Sequence, residues 1–258
     1  MRVINLGSGS KGNCTYIECA NHKILLDIGF SYKETAKRLL DAGVDINEVD
    51  SILITHEHTD HIKGLREAIK QNKNIYIEEN CARVLGITNR LQTHLVTDKE
   101  FFIDSICIKP FYLSHDAIAC LGYKITCGNA VVAFVTDTGF LSDGLITFLK
   151  DCKVVYIESN HEEEMLMNTR YPYMIKKRIL SDVGHLSNTQ CGKIIVKLAY
   201  FGVKHFVLCH LSENSNTKDI ACLRVAEQIQ LAGLKLNEDV VVRLTRQNGK
   251  SNNFIIGE

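Results

Sequence analysis

Apolar residues recur along this chain in short runs that alternate with longer segments of helical spacing. The runs predict strands near residues 2–6, 14–19, 23–27, 51–54, 74–77, 106–112, 118–126, 130–136, 153–157, 204–208 and 239–244. Helices are predicted over 31–42, 187–200 and 217–232, the first with Ser31 at its start and Gly43 after its end. This alternation of strands and helices predicts an α/β chain with mixed sheets.

Metal-binding side chains are concentrated directly after the fourth predicted strand. The segment Thr55-His56-Glu57-His58-Thr59-Asp60-His61 contains three histidines and an aspartate in the pattern HxHxDH. Imidazole and carboxylate groups are ligands of zinc and related divalent ions, and one such loop could serve two adjacent metals. A histidine-rich surface turn is the alternative, but this density of ligands favours the two-metal interpretation.

Three further ligand-type residues close apolar runs later in the chain. They are His115, Asp137 and His210, and each stands just after a strand-like segment. Any one of them could be an ordinary loop residue or a satisfied core histidine. Their recurrence at strand ends, together with the HxHxDH segment, favours a shared catalytic metal site.

The ordered set HxHxDH, His, Asp, His resembles the metallo-β-lactamase superfamily over nearly the whole chain. The resemblance implies the αββα sandwich, with two mixed sheets and helices outside. It also implies two divalent metal ions, with zinc or manganese favoured over iron, and a metal-bridging hydroxide as the nucleophile. The implied ligands are His56, His58 and His115 for one metal, Asp60, His61 and His210 for the other, and Asp137 between them.

Within the superfamily, five segments resemble the bacterial YycJ/WalJ group: 7–13, 26–29, 158–161, 184–188 and 210–214. Members of that group are regarded as exonucleases that degrade duplex DNA from the 5′ end. The resemblance therefore implies phosphodiester hydrolysis with DNA as the partner. The alternative is a small-molecule, cyclic phosphodiesterase with the same metals, because a short chain of neutral charge suits a compact substrate. A non-catalytic binding protein is less favoured, since the ligand set is complete.

Asp60, His185 and Glu158 are the candidate catalytic residues. His185 lies in a Gly-His-Leu-Ser-Asn loop that resembles an element of the related RNase Z enzymes, in which the histidine helps to protonate the leaving oxygen. Glu158 ends a strand-like run and matches the acidic partner there. Asp27 interrupts another apolar run and is expected to accept hydrogen bonds from the histidine-bearing loop.

The loop Gly7-Ser8-Gly9-Ser10-Lys11-Gly12 satisfies the pattern GxGxxG, but a strand-like segment follows it where a dinucleotide site requires a helix. A tight turn between strands is the favoured interpretation, and contact with a substrate phosphate is the second. Lys176 and Lys177 could line a phosphate groove or a solvated face. The residues expected at the substrate are Ser8, Ser10, Asn160, His161, Lys176 and Lys177.

Composition limits these interpretations. With 258 residues and 45% apolar content the chain can bury one core, so a single domain over 1–258 is expected. Thirty basic and thirty acidic residues give no general cationic field, so affinity for DNA should be modest and strongly dependent on salt. Neither a signal peptide nor a membrane span is recognisable, which favours a cytoplasmic enzyme.

The chain has ten cysteines and no CxxC pair. Most of the cysteines sit in apolar or strand-like runs, as Cys107, Cys120, Cys127 and Cys209 do. This placement predicts reduced, buried thiols.

Overall fold

The computed structural model of the protein describes residues 1–246 and 253–257. Within that part of the chain, the strands form two mixed sheets of seven strands each. The fold divides into two units. The first contains Met1–Tyr112, Ala117–Ala130 and Thr245–Glu258, and the second contains Leu113–Asp116 and Val131–Leu244. The expected single domain over 1–258 stays a prediction.

The strands are β1 (Arg2–Gly7), β2 (Cys14–Cys19), β3 (His22–Leu26), β4 (Ser51–Leu53), β5 (Asn74–Glu78), β6 (Thr93–Val96), β7 (Phe101–Ile103), β8 (Ile106–Leu113), β9 (Cys120–Cys127), β10 (Ala130–Val135), β11 (Val154–Glu158), β12 (His205–Cys209), β13 (Val241–Leu244) and β14 (Asn253–Ile255). The helices are α1 (Tyr32–Asp41), α2 (Thr59–Ile62), α3 (Leu65–Lys70), α4 (Glu79–Val84), α5 (Asp143–Phe148), α6 (Glu163–Asn168), α7 (Tyr173–Ile179), α8 (Asn188–Tyr200) and α9 (Lys218–Leu231).

The first unit contains the sheet with strand order β14-β1-β2-β3-β4-β5-β6. The pairs from β14 to β3 are antiparallel, and those from β3 to β6 are parallel. Leu26 of β3 pairs with Leu53 of β4, so the carboxyl ends of these two strands lie side by side. Asp27 follows β3 directly and Thr55 stands two residues beyond β4, which brings the carboxylate to the start of the histidine-bearing loop.

In the second unit, β10, β11, β12 and β13 are neighbours and run parallel. All five residues of β11 are buried, as a parallel strand covered on both faces requires. Ile157 pairs with Val135 on one side and with Leu208 on the other. The residues that follow these strands therefore emerge at one edge of the sheet, where α/β proteins bind ligands.

The sequence pattern predicted the long elements correctly. All eleven predicted strands are present, and the helix over 31–42 is confirmed as α1, where the Ser31 hydroxyl accepts a hydrogen bond from the Glu34 N–H over 3.2 Å. Gly43 follows with a φ of 80°. The pattern missed β6, β7 and β14, which are three or four residues long, and the six short helices α2 to α7. Elements of this length carry too few residues for a periodicity to register.

Cys19 and Cys127 form a disulfide in the first unit, so the prediction of a reduced thiol is wrong for Cys127. Their Cα atoms lie 6.7 Å apart although 108 positions separate them in sequence, a proximity that local pattern does not report. Cys107, Cys120 and Cys209 are free thiols as predicted, and Cys120 and Cys209 are buried, but Cys107 is only partly buried. Among the described residues, no helix has the length and apolar character needed to cross a membrane.

Candidate metal site

In the first unit, three histidines cluster just after β4, with His56 and His58 before α2 and His61 within it. The ring centroids of His56 and His58 are 4.6 Å apart, and those of His56 and His61 are 4.1 Å apart. His56 and His61 are fully buried, whereas His58 and Asp60 are partly exposed. The chain from the end of β4 into α2 thus concentrates imidazole nitrogens in one place, as the HxHxDH spacing predicted.

Asp27 orients this loop through hydrogen bonds to two of its residues. Its Oδ2 lies 2.7 Å from Nδ1 of His61, and its Oδ1 accepts a hydrogen bond from the Thr55 N–H over 2.8 Å. The Thr55 hydroxyl also donates to the carboxylate. Burial raises the pKa of Asp27, and the partners His61 and Thr55 oppose that rise. The expected hydrogen bonds from the histidine-bearing loop are confirmed. The bond to Nδ1 leaves Nε2 of His61 as the atom that can bind a metal.

Asn13 is a member of this site that sequence reasoning missed. Its Nδ2 lies 3.0 Å from Nε2 of His61 and 3.3 Å from Oδ2 of Asp60, and its N–H donates to the Asp60 carbonyl over 2.8 Å. The Gly9 N–H donates to Oδ1 of Asn13, also over 2.8 Å. The loop between β1 and β2 is a turn, as predicted, and it is hydrogen-bonded to the histidine-bearing loop. An asparagine that closes a glycine-rich turn was the only available signal.

In the second unit, Asp137 lies among three histidines. Its Oδ1 is 3.4 Å from Nε2 of His210, 3.9 Å from Nδ1 of His185 and 4.0 Å from Nε2 of His115. Asp137, Glu158, His185 and His210 each offer a ligand atom, and these four atoms lie within 4.8 Å of one another. The strand-end residues predicted from the sequence therefore converge in this unit.

Glu158 is fully buried and makes four polar contacts. Its Oε2 lies 3.0 Å from Nδ1 of His185 and 3.3 Å from Nδ1 of His210, and its Oε1 accepts hydrogen bonds from the Thr138 and Leu186 N–H groups. Burial alone would raise the pKa of Glu158, but His185 and His210 hold it well below its usual range. The structure thus pairs Glu158 with His185, while their catalytic roles stay predictions.

Three of these residues adopt the left-handed backbone conformation. Asp27 has a φ of 59°, Asp137 of 62° and His210 of 54°. Each stands within two residues of a strand end, after β3, β10 and β12. Residues other than glycine adopt this region at a cost, with aspartate among the more tolerant, and such positions cluster at functional sites.

The residues expected at the substrate differ in how deeply they are buried. Ser8 is buried and Ser10 is exposed. Asn160 is buried, and its Nδ2 donates to the carbonyl of His210 over 3.0 Å. His161 is also fully buried, and its burial lowers its pKa to about 4. Lys176 and Lys177 lie on α7. A contact between these residues and substrate stays a prediction.

The donor atoms fit a divalent metal ion. Within the second unit, two imidazoles and two carboxylates bring nitrogen and oxygen ligands within range of one another, the set that zinc, manganese and iron accept. Cys209 is next to His210 in sequence, but burial raises its thiol pKa well above the ordinary value. It is a free thiol in the buried core.

The family model of the Beta-lactamase superfamily domain matches residues 22–211. The chain therefore belongs to the metallo-β-lactamase superfamily of hydrolases, in which divalent metal ions are the expected cofactors. Two mixed sheets flanked by helices are the fold of this class, and the αββα prediction is confirmed.

Within that superfamily, the chain is similar over most of its length to named exodeoxyribonucleases. Exodeoxyribonuclease YycJ of Bacillus anthracis is 36% identical over 242 residues, which cover 90% of each chain. Exodeoxyribonuclease WalJ of Streptococcus pneumoniae serotype 2 is 34% identical over 245 residues, which cover 92% of this chain and 91% of the relative. The resemblance to the YycJ/WalJ group is confirmed.

Solved structures share the fold at lower identity. The metallo-beta-lactamase fold protein YhfI from Bacillus subtilis superposes with a TM-score of 0.73 at 16% identity, covering 97% of this chain and 98% of YhfI. A diphosphatase of the PhnP family superposes with a TM-score of 0.68 at 16% identity, covering 99% and 98%. At this identity the likeness extends to the fold alone.

Proposed function

We propose that the protein is a metal-dependent phosphodiester hydrolase whose substrate is duplex DNA, degraded from the 5′ end. The observation that carries the proposal is the pair of Glu158 and His185, 3.0 Å apart and beside Asp137 and His210. This is an acid–base pair placed next to metal-capable residues. The two exodeoxyribonucleases described above, at 36% and 34% identity, support DNA as the substrate. A DNA substrate in turn favours the cytoplasm as the location.

We propose that the protein binds two divalent ions, which are zinc or manganese with iron as a third option. The ligands are assigned by the order of the residues along the sequence, with 1–258 taken as one domain. Bound there, the ions would activate water at neutral pH and neutralise charge on the phosphate. Asp60 would bind a metal ion and would also take part in catalysis. The proposed ligands are His56, His58, Asp60, His61, His115, Asp137 and His210.

His185 is the proposed general acid. The buried carboxylate of Glu158 fixes its Nδ1, so Nε2 is the ring atom that can give a proton to the leaving oxygen. The His185 N–H also donates to the Ile179 carbonyl over 3.0 Å, which fixes the backbone that presents the ring. Glu158 is thus a positioning residue, because it acts on the reaction through His185.

The first experiment incubates manganese-loaded and zinc-loaded protein with 5′-labelled duplex DNA and, separately, with a cyclic phosphodiester. An Asp137→Ala variant serves as the inactive control. Release of nucleotides from the DNA by the wild-type protein alone supports the proposal. Turnover of only the cyclic substrate would replace it with the small-molecule phosphodiesterase, and inactivity on both with metal bound would reject hydrolysis of either class.

A second experiment separates the two possible duties of His185. Replacing His185 with Ala should lower the turnover number on DNA while the metal content stays at the wild-type level. An exposed histidine outside the site, His94, provides the matched control as His94→Gln. Loss of metal from the His185→Ala protein would assign this residue to the ligands instead.

A further inference from the structure

The segment around α7 exposes an unusual amount of apolar side chain. No residue of α7 is buried. Tyr173 is 69% exposed and Met174 is 71% exposed, and Leu180 and Val183 beyond the helix are 42% and 44% exposed. Isolated exposed apolar residues are common, but several in one segment are typical of a surface that another molecule covers.

The same segment is locally basic in a chain without net charge. Residues 168–183 contain Arg170, Lys176, Lys177 and Arg178 and one acidic residue, Asp182. Nζ of Lys176 donates to the Met167 carbonyl, and Nε of Arg178 lies 3.1 Å from Oδ2 of Asp116. Lys177 is exposed and forms no ion pair with an acidic side chain in the described part of the chain. Its charge is available to an anion.

The acidic residues that precede this segment belong to a different surface. Glu162, Glu163 and Glu164 line a cavity together with Arg224 and Glu227. Nε of Arg224 lies 3.0 Å from Oε1 of Glu162. Arg224 therefore supplies the positive charge in this cavity, and the carboxylates that line it do not provide a partner for Lys177.

The exposed side chains share one face of the helix. Tyr173 and Lys177 are four residues apart, and Met174 and Lys177 are three apart, the two spacings at which helical side chains are neighbours. An aromatic ring, a thioether and a free ammonium group thus form a small docking face. We define this face by Tyr173, Met174 and Lys177.

The carboxyl end of α7 is fixed to the candidate site within the second unit. The His185 N–H donates to the Ile179 carbonyl, and Arg178 pairs with Asp116, whose Oδ1 lies 3.3 Å from Nε2 of His115. Nδ1 of His115 in turn lies 3.2 Å from the Gly184 carbonyl. A substrate that reaches His185 would therefore lie close to this helix.

We propose that the docking face binds the end of a DNA duplex, with Lys177 at a backbone phosphate, Tyr173 stacked on the terminal base and Met174 packed beside it. The inference rests on the proposed nuclease function and names the element that receives the substrate. Aromatic stacking accepts every base, as an exonuclease requires. An anionic membrane surface is a poorer match, because electrostatic membrane binding uses clusters of several basic residues and this face offers one.

The test measures binding by fluorescence anisotropy with two DNA molecules, a blunt duplex made nuclease-resistant by phosphorothioate linkages and a covalently closed circular duplex without ends. Tyr173→Ala should weaken binding of the blunt duplex by about tenfold and leave binding of the closed circle unchanged, whereas Tyr173→Phe should bind like the wild type. Lys177→Gln should weaken binding of both and reduce the slope of log affinity against log salt by about one.

Matched controls are Tyr200→Ala, which removes a tyrosine that is 66% exposed on α8, and Lys150→Gln at an exposed position. Hydrolysis of bis(p-nitrophenyl) phosphate reports the chemistry independently of duplex binding, and the two control variants, Tyr200→Ala and Lys150→Gln, should retain it. Thermal unfolding verifies that each variant is folded.

The outcomes separate the inference from the function on which it rests. If the wild-type protein degrades DNA and the α7 variants bind it as well as the controls do, the docking face is wrong and the nuclease stands. If the wild-type protein neither binds nor degrades DNA, the proposed function fails and the docking face fails with it. Tyr173-dependent binding to phosphatidylglycerol vesicles, without any effect on DNA, would assign the face to a membrane and overturn the proposal.

Discussion

Asp27 and His61 form a buried ion-pair contact in the first unit, with 2.7 Å between Oδ2 and Nδ1. The side chains are 4% and 1% exposed, so the contact is shielded from solvent. Thr55 donates to the same carboxylate through both its N–H and its hydroxyl. One acidic residue thereby fixes the start of the HxHxDH loop and the ring orientation of its last histidine.

Replacing Asp27 with Asn should lower metal affinity by about 10- to 100-fold, because the amide removes the negative charge that orients and polarises the His61 ring. Asparagine tolerates the φ of 59° at this position, so the change tests charge without adding backbone strain. Competition with a chromogenic zinc chelator measures the affinity, with the exposed Asp182→Asn as the control. Unchanged affinity would show that Asp27 serves the fold alone.

Gly29→Ala should destabilise the protein by more than about 2 kcal/mol. A Cβ at Gly29 would overlap the Asp60 carbonyl oxygen and would lie only 2.5 Å from the Asn13 backbone nitrogen. Gly144 in α5 is the matched control, because the nearest atom to a Cβ there, Oγ of Ser142, is 3.7 Å away. Gly144→Ala should be neutral or stabilise by up to about 1 kcal/mol. Urea unfolding measures both, and equal midpoints would contradict the packing argument.

His22 should make stability depend on pH. Nε2 of His22 lies 2.6 Å from Oδ2 of Asp104, and this hydrogen bond raises the pKa of His22, helped by the nearby Asp50. Because the folded pKa exceeds the unfolded value of about 6.5, the contribution is fully present below that value and is lost as the pH rises through the folded pKa.

The free-energy difference between wild type and His22→Gln should therefore be larger at about pH 5.5 than at about pH 8.5. The contact is near the surface, so the difference should stay below about 1 kcal/mol. Urea titrations at the two pH values measure it, with His94→Gln as a control for general effects of histidine loss. A difference that grew with pH would have the wrong sign for this pair.

The disulfide between Cys19 and Cys127 should stabilise the oxidised protein over the reduced one by about 2–4 kcal/mol, because it closes a long loop in the unfolded chain. Unfolding with and without dithiothreitol measures the difference. Cys19→Ser should abolish it, whereas Cys107→Ser, at a free cysteine, should preserve it. Sensitivity to dithiothreitol that survives Cys19→Ser would place the effect at another cysteine.

The strand-end residues could be recognised from the sequence because a polar group that interrupts or closes an apolar run needs a reason to be there. Asp27, Asp137, Glu158 and His210 all gave that signal, and the structure places them at strand ends with hydrogen-bonding or ion-pair partners. The long helix α1 could also be recognised from the sequence, because a capping serine precedes the apolar spacing and a glycine follows it.

Other features depended on three-dimensional proximity that local sequence does not encode. The contact of Asn13 with His61 joins residues 48 positions apart, and the contact of Asn160 with His210 joins residues 50 positions apart. An asparagine in a loop has many ordinary uses in turns, so neither residue stood out for this role. The Cys19–Cys127 pairing was hidden for the same reason.

The left-handed backbone at Asp27 and Asp137 has an evolutionary consequence. Asparagine and glycine enter this conformation readily, so either could replace these aspartates while the chain kept its path. A lineage could in this way lose either carboxylate through a single substitution and retain the same sheets and loops. Overall likeness in shape would then persist after the chemistry had gone, and inactive descendants would be distinguished by the side chains at these turns.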